Sequence, residues 1–156
     1  MREHHGFSLL ELLVLLAVLG VVLSLSAGVL NPDRQAVGQA AQGLAAQVTR
    51  ARLEAIRQNV PVGLAVFTEG AGRYAVFRDL DGDRAYSPGE EIQLVAFGQG
   101  DLGRVRLVGV SGGKLFLFDP RGVPVSFVQM EVVLGNRQGT YTKTVRISPQ
   151  GRAEIP

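Results

Sequence analysis

The sequence predicts an α+β fold: one long N-terminal helix, hydrophobic first and amphipathic second, packed on an antiparallel β head. Three observations carry this. From Phe7 to Leu30 the only charged residue is Glu11. From Arg34 to Asn59 apolar residues recur at helical spacing. From residue 60 onward, short β-prone runs alternate with glycine-rich gaps. Runs of helix followed by runs of strand fit helix packed on sheet rather than alternating α/β units.

The apolar run Phe7 to Leu30 has 24 residues. At about 1.5 Å per residue a helix of that length reaches roughly 36 Å, enough to cross a bilayer. The leader before it, "MREHHG", is short and polar and holds Arg2, which favours a cytoplasmic N-terminus and an exported remainder. Three processing routes are compatible with the periodicity. Small residues at Ser24, Ser26 and Ala27 resemble a signal-peptidase site. The run also fits an uncleaved anchor, or an anchor kept after a cut behind Gly6. Glu11 separates these in part, because a carboxylate at the membrane centre costs roughly 2.5 to 3.5 kcal/mol and a plain signal peptide gains nothing from it.

"LNPDR" follows. Pro32 lacks a backbone donor, so a break is expected there, and Asp33 is placed to cap the next helix. Val37, Ala41, Leu44, Val48, Ala51 and Ala55 form the apolar stripe of that helix, with Ile56 joining them. Arg50, Arg52 and Arg57 fall mostly off the stripe and read as a solvated face. Asn59 and Pro61 end the helix.

Strands are predicted at Val62 to Thr68 and Arg73 to Arg78, joined by the hairpin signal "EGAGR". Further strands are predicted at Glu91 to Phe97, Arg104 to Val110, Lys114 to Phe118, Val125 to Leu134, Tyr141 to Ile147 and Arg152 to Ile155. "FDPRG" and "ISPQG" both place proline second and glycine fourth after a strand, which is turn chemistry. The organisation expected is a leader at 1–6, an apolar helix at 7–30, an amphipathic continuation at 31–59 and a β head at 60–156.

Charged residues are 19% and hydrophobic ones 46%, which excludes a disordered chain. The formal net charge of +2 is too small to imply nucleic acid by itself. There is no cysteine, so disulfides, thiol nucleophiles and Cys-based zinc sites are excluded. The only histidines are His4 and His5, both in the leader. Removing the leader removes His-dependent triads and His-ligated metals with it. No GxSxG, Walker A or dinucleotide fingerprint is present. The chain reads as a non-enzyme.

Two head segments invite ligand readings. In "DLDGDRAYSPGE", Asp79, Asp81, Asp83 and Glu90 fall at positions 1, 3, 5 and 12 of a calcium loop. Arg84 stands where such a loop needs glycine, and strands rather than helices flank it. The bland alternative is a solvated acidic hairpin loop. The C-terminal tail carries Arg146 and Arg152, candidates for DNA phosphate contacts if they cluster.

"GFSLLELLVLLAVLGVV" closely resembles the N-terminal signature of type IV pilins and type II secretion pseudopilins. The resemblance implies cleavage between Gly6 and Phe7 by a prepilin peptidase, N-methylation of Phe7, and pairing of Glu11 with the free amine of a neighbouring subunit's Phe7. Such a pair would match two charges where neither could be solvated. The stretch from "AVGQAAQGLAAQVTRARLEAIRQNVPVGLAV" through "FDPRG" to "ISPQGR" is similar to GspH/FimT-type minor pilins, whose head has two sheets and a short tail. The partners implied are other pilin or pseudopilin subunits, the peptidase and an inner-membrane assembly platform. The implied route is an inner-membrane precursor with a periplasmic head, then a surface pilus or periplasmic pseudopilus. Some FimT-like pilins bind DNA through a Gly-Arg-x-Arg tail. Here the tail reads Gly151-Arg152-Ala153-Glu154, with glutamate in place of the second arginine. A secreted β-domain that binds calcium or DNA is the alternative from another class.

Overall fold

A computed structural model describes residues 8–27 and 31–156. The chain divides into two units, Met1–Pro32 and Asp33–Pro156. The first is the helix α1, Leu9–Ala27, rich in leucine and free of proline. It is apolar on every side, and its described side chains, which end at Ser24, are exposed. Such a helix is stable only when something covers it. Among the described residues no helix is long and apolar enough to cross a membrane.

The second unit begins with α2, Pro32–Gln58. Proline suits the first helical position, where the missing N–H has no helical partner in any case. Asp33 lies in the first turn and Arg57 in the last, as the helix dipole favours. Asn59 ends the helix at φ 55, a left-handed conformation that asparagine tolerates. The buried stripe is Val37, Ala40, Ala41, Leu44, Val48, Ala51 and Ala55. Ile56, expected on it, is instead 50% exposed and packs against the turn at Gly122.

Eight strands follow: β1 Val62–Phe67, β2 Arg73–Arg78, β3 Glu91–Ala96, β4 Val105–Ser111, β5 Leu115–Phe118, β6 Met130–Asn136, β7 Thr142–Ile147 and β8 Ala153–Glu154. They form two antiparallel four-stranded sheets, ordered β3-β2-β1-β5 and β4-β6-β7-β8. A bond from Leu107 N–H to the Ala71 carbonyl ties β4 to the β1–β2 turn. The α2 stripe packs on alternate residues of both sheets: Leu64, Val66, Val76, Phe116 and Phe118 from the first, Val132, Leu134, Val145 and Ile147 from the second. The other face of the first sheet has a small core of Ala65, Phe77 and Leu117, covered by Tyr86. Tyr86 meets Phe77 and Phe67 edge-on, with ring centroids 5.6 and 5.1 Å apart.

The strand expected over Val125 to Leu134 runs from Met130 instead. Its partners explain the shift. The β4 ladder ends at Ser111 opposite Glu131, and the β7 ladder ends at Ile147 opposite Met130. Pro124 and Val125 make only an isolated bridge to the end of β5, with Val125 N–H donating to the Leu117 carbonyl, and Phe127 and Val128 are left exposed.

Candidate functional site

Three regions carry the candidate residues. The first is the anchor. Gly6 and Phe7 lie outside the described residues. Glu11 sits in the first turn of α1 and is exposed, among leucines that are exposed too. A carboxylate there is favoured by the helix dipole. It is the only charged side chain of α1.

The second region is the acidic loop between β2 and β3. Asp79, Asp81 and Asp83 converge, each offering an oxygen within 4.8 Å of the others. Asp79 is buried, and its two oxygens accept from Gly82 N–H (2.8 Å) and Arg84 N–H (3.3 Å). Asp81 and Asp83 each accept from the amide two residues on. Arg84 takes φ 59, the left-handed conformation for which a calcium loop uses glycine at this position. Glu90 does not join the cluster. Its carboxylate accepts from Leu80 N–H (2.9 Å) and Ser87 N–H (3.1 Å), closing the base of the loop. The bidentate twelfth ligand of a calcium loop is therefore committed to backbone amides. Glu91 accepts from the Tyr86 hydroxyl at 2.7 Å, which holds its carboxyl below its ordinary range and pushes the phenol up. The loop's hydrogen bonds thus hold Tyr86 over the first sheet.

The third region is the tail. Arg146 on β7 donates to Glu131 on β6 at 2.9 Å and stands opposite Glu154 of β8 in the ladder. Arg152 is exposed. Pairing with Glu131 thus reduces the positive charge that Arg146 offers to phosphate.

A fourth cluster surrounds the start of α2. The Asp33 carboxylate accepts from Arg104 at 3.0 Å and from the Asn136 side-chain amide at 3.1 Å. These contacts, the Asn136 bond foremost, hold Asp33 below its ordinary pKa. Asn136 is buried, donates also to the Thr140 hydroxyl, and accepts from Tyr141 N–H. The first turn of α2 is thereby fixed to the turn between β6 and β7.

Comparison with known proteins interprets this geometry. Residues 40–151 match the family described as Type II transport protein GspH, and residues 1–27 match the prokaryotic N-terminal methylation motif. The pilin-like protein PilA1 of Thermus thermophilus is 52% identical over 154 residues, 97% of each chain. The chain belongs to the GspH family of the type IV pilin and pseudopilin superfamily. Its fold is also that of the Pseudomonas aeruginosa type IV minor pilin FimU. One FimU crystal form gives a TM-score of 0.58 at 17% identity, covering 79% of this chain and 90% of that one. A second gives 0.57 at 17% identity, covering 76% and 91%.

Proteins of the pilin family are structural and assemble with other pilin subunits. The methylation motif covers Gly6, Phe7 and Glu11. In the pilin head, sequence reasoning missed Asn136. Its only signal is an Asn in a turn-forming "GNRQG", and its partner Asp33 is 103 residues away.

Proposed function

We propose that this chain is a minor pilin, a non-catalytic assembly subunit of a type IV pilus. It is made as a single-pass inner-membrane precursor with its head in the periplasm. A prepilin peptidase cuts between Gly6 and Phe7 and Phe7 is N-methylated. An inner-membrane assembly platform then moves the subunit into the filament, where Glu11 pairs with the Phe7 amine of a neighbour. The observation that carries this reading is a helix apolar on every side, holding one carboxylate, on a chain whose head has the minor-pilin fold.

The physics of transfer supports it. Lipid tails and the packed helices of a filament core are similarly apolar, so moving α1 from one to the other changes its hydrophobic free energy little. The polar contact must then decide. A lone glutamate is a cost in lipid and becomes a matched pair beside an ammonium. Cutting the leader creates that ammonium only on processed subunits.

Mass spectrometry of the mature protein tests the processing: a chain starting at methylated Phe7 is expected, and one starting at Ala27 or Gly28 would mean a signal peptide. Glu11→Ala is expected to leave cleavage intact and to reduce incorporation into filaments. Normal assembly of that variant would refute the pairing.

The match to a Type II transport family favours a second destination, the periplasmic pseudopilus. The likeness to a protein named pilin-like favours the pilus. Deleting the gene separates them: loss of surface pili supports the first reading, and loss of protein secretion with intact pili supports the second.

A further inference from the structure

The end of the head where α2 begins carries a concentration of arginines that filament assembly as described above does not use. Arg137 lies in the turn between β6 and β7, and its guanidinium donates to the Gly103 carbonyl. Gly139 in the same turn lies against Arg106, where an added Cβ would meet the guanidinium at 3.2 Å. Arg104 is bound to Asp33, and Arg34 stacks on Tyr141 with 5.3 Å to the ring centroid. All four arginines are exposed. Against them stand Asp33, shared with Arg104 and Asn136, and Asp101 on the 3-10 turn Gly100–Leu102. Asp33, Gly103, Arg104, Arg137 and Gln138 line an open polar cleft of about 380 Å³.

We propose that this arginine-lined end of the head docks on the anionic phospholipid headgroups of the bilayer that holds the precursor. The inference rests on reading Phe7 to Leu30 as a bilayer segment. Chain length then fixes the location. Leu30, the last residue of that segment, is three residues before Asp33, and three residues span at most about 11 Å. Asp33, to which Arg104 is bound, is therefore tethered within about 11 Å of the end of that segment, comparable with the screening length of about 8 Å. Guanidiniums suit phosphate because their planar fork donates two parallel hydrogen bonds to it. Charge alone would also fit nucleic acid or the acidic loop of a neighbouring head. Only the lipid is brought to the cluster by the chain's own connectivity.

The test uses the full chain, which has no cysteine, so Gln138→Cys takes a single fluorophore at the cleft. The protein is reconstituted in vesicles of phosphatidylcholine alone or mixed equally with phosphatidylglycerol, with a quencher attached to headgroups. Docking predicts stronger quenching in the anionic vesicles, since each surface arginine shifts the docked-to-undocked ratio roughly fivefold. Arg104→Gln, Arg106→Gln and Arg137→Gln together should abolish the difference, and so should molar salt, which needs no substitution in the patch. Arg146→Gln with Arg152→Gln should leave it intact. Equal quenching in both vesicles, with the chain floating on both, overturns the proposal and leaves the bilayer reading standing. Failure to float with either vesicle overturns both. Quenching that follows protein density rather than phosphatidylglycerol would assign the patch to a neighbouring head and overturn the lipid assignment.

Discussion

Asn136→Ala should weaken the head more than any surface substitution of its size. The side chain is 2% exposed and makes three hydrogen bonds, to Asp33 (3.1 Å), Thr140 (2.9 Å) and the Tyr141 amide (3.1 Å). Each such bond is worth about 1 kcal/mol net, and stranding a buried amide costs about 1 to 3 kcal/mol. The expected loss is therefore about 2 to 4 kcal/mol. A domain of this size loses roughly 3 to 5 °C per kcal/mol, so the melting temperature should fall by about 6 to 20 °C. Urea unfolding of the full chain in micelles measures the loss, with Thr140→Ala, which removes only one of the bonds, as the smaller reference. The pH dependence gives a second readout. A carboxyl with a depressed pKa adds stability above its ordinary value of 3.8, and that stability is lost as pH falls through its lower folded value. Asn136 is the first cause of the depression at Asp33, so the variant should lose part of this acid dependence. A loss below about 1 kcal/mol, with an unchanged acid limb, would refute the view that Asn136 fixes α2 to the second sheet.

Burial pushes the Tyr74 phenol up to about 12, so its contribution to stability is complete below pH 10 and lost as pH rises from 10 to 12. Tyr74→Phe should flatten alkaline unfolding over that window, as circular dichroism can follow. Gly63→Ala would place a Cβ 2.7 Å from the Phe77 ring and 2.8 Å from Leu117, so it should cost about 1 to 3 kcal/mol in urea unfolding, with Leu117→Ala recovering part. Because Glu90 and Asp79 already accept backbone amides, millimolar calcium should leave the melting temperature unchanged; a rise of several degrees would show the aspartates reorganising around an ion.

What could be read from the sequence is what depends on neighbours close in the chain. The spacing of Val37, Ala41, Leu44 and Val48 is a helix face by itself, and the structure buries all four. The start of α2 at Pro32 and its stop at Asn59 need only local backbone chemistry. Where the outcome depends on distant partners, local reading failed. Val125 to Gln129 has strand composition, but β4 and β7 end before reaching it. Ile56 has the right spacing, yet it meets the turn at Gly122 rather than the core. The aspartate spacing in the acidic loop was visible. The use of Glu90 to close that loop was not, because it depends on where the amides of Leu80 and Ser87 point.

The contrast between the two units bears on how one segment can serve two surroundings. The twelve leucines and valines from Leu9 to Leu23 are each about half exposed or more. Covering one such side chain is worth about 1.5 to 3 kcal/mol, so together they exceed the 5 to 15 kcal/mol that holds a whole domain folded. In water the segment would associate with anything apolar. On the proposed reading it is never in water: it passes from lipid to the filament core, and the hydrophobic term nearly cancels between the two. A term that cancels cannot direct the transfer, however large it is. Direction falls to the one group that differs between the states, the Glu11 carboxylate, and to the ammonium that cleavage exposes. This is why Glu11→Ala should spare membrane anchoring and impair assembly, whereas replacing a single leucine of α1 by alanine should affect both weakly.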